Sequence, residues 1–278
     1  FREMADHYEL SPDVQVVTGF IGSTENGLTT TLGRGGSDYT AALLAAALQA
    51  ELLEIWTDVD GVLTADPRRV RKAFTVPRMT YQEAMEMSHF GAKVIYPPTI
   101  QPAASRGIPI IIRNTFRADF PGTYISAEGD PDTRRAVKGI SSISDLALLT
   151  LQGSGLFGVP GTAGRLFSSL AREGINVILI TQGSSEHSIS FALRPEVAEQ
   201  AVACLEKEFE YELRLRQVDP VKVEKELSIV AVIGENMRYR PGISGRLFQS
   251  LGQNGVNVVS IAQGSSERNI SVVVRRED

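Results

Sequence analysis

Three short blocks recur in the second half of this chain at one constant offset. Gly164-Arg165-Leu166-Phe167 returns as Gly245-Arg246-Leu247-Phe248, and Gly174-Ile175-Asn176-Val177 as Gly255-Val256-Asn257-Val258. Gln182-Gly183-Ser184-Ser185-Glu186 returns as Gln263-Gly264-Ser265-Ser266-Glu267, again 81 positions on. Chance similarity does not hold one offset across three separated blocks, so this half consists of two copies of one supersecondary unit. Each copy predicts an apolar strand (Leu146 to Leu151; Ser228 to Ile233), a loop reaching Pro160-Gly161 or Pro241-Gly242, and an amphipathic helix. A strand (Ile175 to Thr181; Val256 to Ala262), a Gly-Ser-Ser-Glu turn and another strand (Ser188 to Leu193; Asn269 to Val274) follow in each. The first copy continues with a helix from Pro195 to about Glu212 and a strand near Leu213 to Val218, completing a ferredoxin-like βαββαβ unit. The second stops at Arg275-Arg276-Glu277-Asp278, after its third strand, and reads as incomplete.

The first half follows a different pattern. An apolar run at Val14-Gln15-Val16-Val17 predicts a strand entering the Gly19-Phe20-Ile21-Gly22 loop, and Tyr39 to Leu53 is a run of helix formers with apolar residues on every side. Glu54 to Leu63 then predicts a strand ending in Asp58, Asp60 and Gly61. Strand, helix, strand is the α/β order, in which ligands bind beyond the carboxyl ends of the strands. Between the first strand and the helix lies Thr29-Thr30-Thr31-Leu32-Gly33-Arg34-Gly35-Gly36-Ser37-Asp38. Gly33, Gly35, Gly36 and Ser37 directly before a helix let several backbone N–H groups converge on one anion at its positive end. Arg34 adds a planar cation suited to a carboxylate or phosphate, and Asp38 an acceptor in the first turn. The alternative is a glycine-rich turn capped by Ser37 or Asp38. No Gly-Lys-Ser/Thr follows, so this is not a P-loop of the Walker type.

Further along, Asp66-Pro67-Arg68-Arg69-Val70-Arg71-Lys72 is a turn with a basic cluster. Thr80 and Glu83 predict a capping box opening a helix to about Gly91. Lys93 precedes a segment closed by Pro97-Pro98, either a phosphate-facing cation or a surface lysine. Ile108 to Arg113 predicts a strand, and Phe120 to Ile125 a turn. The polar stretch Glu128 to Arg135 marks a boundary. The expected parts are therefore 1–137, 138–223 and 224–278.

A formal net charge of −5 argues against a general nucleic-acid or acidic-membrane binder, both of which need a dense basic face. Cys204, the only cysteine, has no internal disulfide partner and fits a reducing compartment, cytoplasmic or plastid. No apolar run reaches membrane-spanning length. His7, His89 and His187 lack the clustering of a metal site, so no protein-held metal is expected. The chain begins Phe1-Arg2-Glu3-Met4 and reads as cut at both ends.

Taken together, Thr31 to Asp38, Trp56 to Val62 with Asp66-Pro67-Arg68, and Phe90-Gly91-Ala92-Lys93-Val94 resemble the C-terminal half of an aspartate kinase catalytic domain. The doubled segment resembles the paired ACT modules that follow it. Ile180-Thr181-Gln182 and Ile261-Ala262-Gln263 are more similar to the threonine-sensitive type fused to homoserine dehydrogenase than to the lysine-sensitive type. The resemblance implies the second half of an amino-acid-kinase open α/β sheet followed by two ACT modules. It also implies an enzyme that phosphorylates the side-chain carboxylate of L-aspartate with MgATP. Residue by residue, Arg34 and Ser37 would hold aspartate, and Asp38 would organise the site near the transferred phosphoryl group. Gly33, Gly35, Gly36, Thr57 and Asp58 would meet the nucleotide, and Arg68 and Lys93 its phosphates. Gln182 and Gln263 would bind threonine as feedback inhibitor, and the ACT modules would join copies of the chain into a homo-oligomer. Leu63 stands where many relatives have tyrosine, Tyr96 where many have histidine, and Ile178 where lysine-sensitive relatives carry an acidic residue. The family's upstream Lys-Phe-Gly-Gly-Thr/Ser segment is not in this sequence, so these residues alone are expected to lack kinase activity.

Overall fold

A four-stranded sheet in the first half and a six-stranded sheet in the second carry the chain. The computed structural model describes residues 14–91, 94–132, 134–156, 158–183, 187–238, 240–264 and 268–278. The chain divides into two compact units, Phe1–Ser141 with Ala231–Pro241 and Ser265–Asn269, and Ser142–Val230 with Gly242–Gly264 and Ile270–Asp278.

The first unit opens with a hairpin of β1 (Ile21–Ser23) and β2 (Thr29–Thr31), followed by α1 (Gly36–Leu48) and β3 (Leu53–Thr57). β4 (Arg78–Thr80), α2 (Tyr81–His89), α3 (Pro97–Ser105), β5 (Ile110–Asn114) and β6 (Thr123–Ser126) complete it. The sheet order is β3-β5-β6-β4, with β3 parallel to β5, β5 antiparallel to β6 and β4 parallel to β6. Alternation along β5 buries Ile110, Ile112 and Asn114, and β6 buries Thr123 and Ile125. Helix α1 meets α3 through small side chains, with Ala42, Ala45, Ala46 and Ala47 all buried. Alanine lets two helix backbones approach closely while retaining the best helix propensity.

Several local expectations for this unit need correction: the strand expected from Glu54 to Leu63 ends at Thr57, and the turn expected from Phe120 to Ile125 gives way to β6 at Thr123. Val14 to Val17 form no strand but lie irregular and exposed, with no apolar face buried by the described residues; the first described strand starts at Ile21. The helix ends at Leu48, where Gln49 turns left-handed at φ 50°, and Leu53 already belongs to β3. Pro97 and Pro98 do not close a segment but open α3, occupying first-turn positions whose N–H groups have no intrahelical partner. The capping box at Thr80 and Glu83 is present as expected.

The second unit holds most of β7 (Gly139–Gln152), then α4 (Thr162–Arg172), β8 (Leu179–Gln182), β9 (Ser188–Leu193), α5 (Ala198–Glu208) and α6 (Glu210–Arg214). β10 (Lys222–Ile233), α7 (Ile243–Gln253), β11 (Val258–Ala262) and β12 (Asn269–Arg275) follow. The strand order is β11-β12-β10-β7-β9-β8. For the first copy this reads fourth, first, third, second, which is the ferredoxin-like order, with β10 in fourth place. For the second copy the fourth place, beside β10, is taken by β7. Each copy therefore borrows the other's first strand. The strand expected at Leu213 to Val218 is not formed: Glu210–Arg214 is helical, and Val218 is 2% exposed in the core of this unit. Leu213 and Val218 pack the core from a helix and a turn, while Leu215 is exposed. That core gathers Leu149, Leu151, Leu166, Leu170, Phe191 and Phe209, with Phe167 edge-on to Phe191 at 6.1 Å. Although β8 and β11 are the two edges of the sheet, they meet where Thr181 Oγ1 donates to the Ile261 carbonyl at 3.0 Å. Among the described residues no helix is long and apolar enough to cross a membrane.

Candidate functional site

Because β3 and β5 run parallel, with Thr57 opposite Asn114, both loops leave the sheet at the same end. Helix α1 hands over to β3 through a short turn and packs back along it, so its N-terminus rises to that end as well. The start of α1 is shaped by glycine. Gly35 is the N-cap at φ 77°, and a Cβ there would lie 2.5 Å from the Tyr96 ring, so the position tolerates neither the conformation nor the volume of a side chain. Among the described residues no side chain caps this helix: Ser37 and Asp38 stand inside its first turn, and Ser37 is exposed. The capped-turn alternative is thus not the one found. First-turn N–H groups are left open to an anion, as the helix dipole favours.

Gly36 N–H donates to the Gly33 carbonyl at 3.0 Å, closing the turn that presents Arg34 to solvent. Asp38 is half-buried, and burial raises its pKa above the ordinary carboxylate value. Thr40 Oγ1 donates to the Gly36 carbonyl at 2.9 Å and accepts from Phe20 N–H at 3.2 Å, tying the helix start to the hairpin before it.

At the end of β3, Thr57 Oγ1 donates to Asp58 Oδ1 at 3.2 Å, and Asp58 is exposed. Trp56, one residue earlier, is 43% exposed and lies under the Arg113 guanidinium at 5.3 Å. Asp60, which the sequence marks only as a carboxylate after the strand and gives no role, accepts from Asn114 Nδ2 at 2.7 Å and from the Arg117 guanidinium. Arg68 is held by Asp66 at 2.8 Å with its side chain 83% exposed, and Lys93 lies outside the described residues. The Arg68 hydrogen bond holds the Asp66 carboxyl below the usual range.

The capping box of α2 has a further contact that no local pattern announces. Glu83 Oε2 accepts from Thr80 N–H at 2.8 Å, while Oε1 accepts from Glu235 N–H at 2.7 Å. Asn269 Nδ2 donates to Glu86 Oε2 at 2.6 Å, and Arg268 Nε to Glu235 Oε2 at 2.5 Å. Residues of the second repeat copy thereby brace a helix of the first unit.

In the second unit, a cleft of about 430 Å³ is lined by Leu156, Val159, Pro160, Thr162, Gln182 and Ile189, among others. It lies at the start of α4, where Gly161 is a left-handed N-cap at φ 87° and no side chain caps the helix. Gln182, at the end of β8, reaches this cleft. Gln263 does not line it; it is exposed just past β11, two residues beyond the Thr181–Ile261 bond. The second copy repeats the open helix start, with Gly242 at φ 88° and no side-chain cap.

Comparison with known proteins assigns both halves. Residues 3–114 match the amino acid kinase family, and residues 149–209 and 230–278 match the ACT domain. The chain is 48% identical over 261 residues to the bifunctional aspartokinase/homoserine dehydrogenase of Haemophilus influenzae, covering 94% of this chain and 32% of that protein. Its fold matches the aspartate kinase of Clostridium acetobutylicum at TM-score 0.83 and 31% identity, over 100% of this chain and 63% of that one. Aspartokinase III of E. coli, crystallised with aspartate and ADP, matches at TM-score 0.78 and 34% identity, over 94% of this chain and 57% of that one. The chain thus spans about a third of the length of the bifunctional relative.

Proposed function

Because this chain belongs to the aspartate kinase family with its ACT regulatory domains, we propose that it is part of an enzyme making 4-phospho-aspartate from L-aspartate and MgATP. The observation that carries this reading is the uncapped, glycine-shaped start of α1 beside the loops that follow β3 and β5. A carboxylate oxygen of aspartate attacks the γ-phosphorus, the bond from that phosphorus to the bridging oxygen breaks, and ADP leaves. The protein supplies position and charge neutralisation, which such a transfer chiefly requires. Arg34 and Ser37 hold the aspartate, and Asp38 organises the site beside the transferred group. Gly33, Gly35 and Gly36 let the backbone meet the nucleotide, the N–H groups of Gly33 and Gly35 facing phosphate oxygens while that of Gly36 closes the turn on the Gly33 carbonyl. Thr57 and Asp58 meet the nucleotide, and Arg68 and Lys93 approach its phosphates. Arg68, exposed on a surface ion pair, can leave Asp66 at little cost.

We assign one wall of that site to these 278 residues and the opposite wall to the upstream Lys-Phe-Gly-Gly portion that the family resemblance implies. ADP release coupled to an indicator reaction, with saturating aspartate and MgATP, tests both points. The chain joined to such an upstream portion turns over; the chain alone does not. No turnover by the joined protein would overturn the assignment, and full turnover by the chain alone would overturn the half-site.

The ACT copies bind threonine as feedback effector, with Gln182 and Gln263 contacting its polar groups, and they join copies of the chain into a homo-oligomer. Ile178, in place of an acidic residue, leaves the ammonium of a lysine side chain without a partner. A downstream homoserine dehydrogenase, as in the bifunctional relatives, fits this type. The formed cleft at Gln182 also supports a second reading, a non-catalytic amino-acid-sensing and assembly module. The joined-protein assay separates the two.

A further inference from the structure

Asp60 ties together the two loops that leave the sheet beside Thr57 and Asp58, and we propose that it is a positioning residue that sets nucleotide affinity without touching the nucleotide. The inference rests on the reading of Thr57 and Asp58 as nucleotide contacts. Past the last β3–β5 pair, Thr57 opposite Asn114, no ladder holds the two chains together. Side chains and one backbone bond take over. Thr115 N–H donates to the Thr57 carbonyl at 2.8 Å, and Asn114 Nδ2 donates to Asp60 Oδ1 at 2.7 Å. Arg117 donates to the other carboxylate oxygen of Asp60.

The Asn114 amide is used at both ends, since its Oδ1 accepts from Phe116 N–H at 2.9 Å, and the residue is only 7% exposed. Arg117 is itself oriented: its N–H donates to the Asn114 carbonyl at 3.1 Å, and its guanidinium lies 4.9 Å from the centre of the Phe120 ring. On the far side of Asp60, Gly61 sits at φ 114° so close to Thr123 that a Cβ would fall 2.4 Å from its hydroxyl. Val62 N–H donates to that same hydroxyl at 2.9 Å. The loop from Thr57 to Gly61 is therefore anchored at its start by the ladder, at its end by Thr123 and in its middle by Asp60. Without the middle anchor, Asp58 and the Thr57 side chain beside it can shift by about an ångström while the Thr57 backbone stays in the ladder and the sheet stays intact. A misplacement of that size in a positioned contact lowers affinity well beyond the loss of one exposed hydrogen bond.

The test uses the kinase that contains this chain together with its upstream portion, titrated with ADP by calorimetry and assayed at varied ATP and aspartate. Asp60→Asn removes the charge that holds Arg117 while keeping the shape. It is expected to weaken ADP binding and raise the KM for ATP about tenfold, with the KM for aspartate unchanged. Arg117→Ala gives the same split, and Arg117→Lys, which keeps the charge, recovers part of it. Thermal melting of each variant checks that the fold is retained. Unchanged ADP affinity in both Asp60→Asn and Arg117→Ala would overturn this role alone. So would equal rises in both KM values, the mark of a merely structural residue. Failure of the unmodified kinase to bind ADP would instead overturn the underlying reading of the site and this role with it.

Discussion

Leu166 and Leu247 occupy the same place in two copies of one helix, yet the first is fully buried and the second partly exposed. Leu170 and Leu251 differ in the same way. The helices have near-identical sequences at these positions, so the cause lies in their neighbours. α4 packs against the sheet and also against α5, where Arg165 reaches Glu208 at 3.2 Å and Glu212 at 2.6 Å and lies 4.5 Å from the centre of the Phe209 ring. Among the described residues α7 has no counterpart of α5, and Arg246 is exposed. A repeated motif thus encodes a helix and its sheet-facing side. What a second layer adds is decided by elements outside the motif.

Core truncation should expose that difference most strongly. Leu166→Ala is expected to cost about 2–5 kcal/mol in chemical denaturation, as for a fully packed leucine, and Leu247→Ala roughly half of that or less. Equal costs would mean that α7 is as well covered as α4. Removing the arginines should sharpen the contrast at smaller scale. Arg165→Ala, which gives up a partly exposed double ion pair and a ring contact, is expected to cost about 1 kcal/mol, and Arg246→Ala close to nothing.

The smallest effect is electrostatic. The Arg165 hydrogen bond, outweighing burial, holds Glu212 below the ordinary glutamate range. A depressed carboxylate contributes stability that is complete above its unfolded pKa and is lost as pH falls through its folded one. Acid titration of the unfolding midpoint should therefore show a loss beginning below about pH 4, and Glu212→Gln should remove that part of it. Retention of the full acid slope in Glu212→Gln would assign it to other carboxylates, such as Asp132. That partly exposed group is held at about 2, chiefly by its hydrogen bond to Arg134.

Much of this architecture was legible because the signals were local or strictly periodic. The constant offset exposed the two copies, and the Thr80–Glu83 capping box involves residues three apart, so it could be read before any fold was known. The second use of Glu83, bound by the backbone of Glu235 from 152 positions away, leaves no such trace. The exchange of first strands between the copies was hidden for the same reason: which strand lies beside β7 is a matter of topology. Apolar runs misled where their burial came from elsewhere, as at Val218, and where there was no burial, as at Val14 to Val17. In the candidate site the glycines, Arg34 and Asp38 stand out as candidates by type and spacing. Asp60 does not, because its partners Asn114 and Arg117 lie 54 and 57 positions further on.

The inequality of the two copies is tested most directly where it meets the proposed function, at their equivalent glutamines. Calorimetric titration of threonine into this chain, and into Gln182→Ala and Gln263→Ala, compares the residue that lines the cleft with the one that does not. Gln182→Ala should weaken threonine binding about tenfold, Gln263→Ala should have a smaller effect, and lysine should bind more weakly than threonine throughout. Equal losses from the two variants, or lysine binding as tightly as threonine, would contradict this.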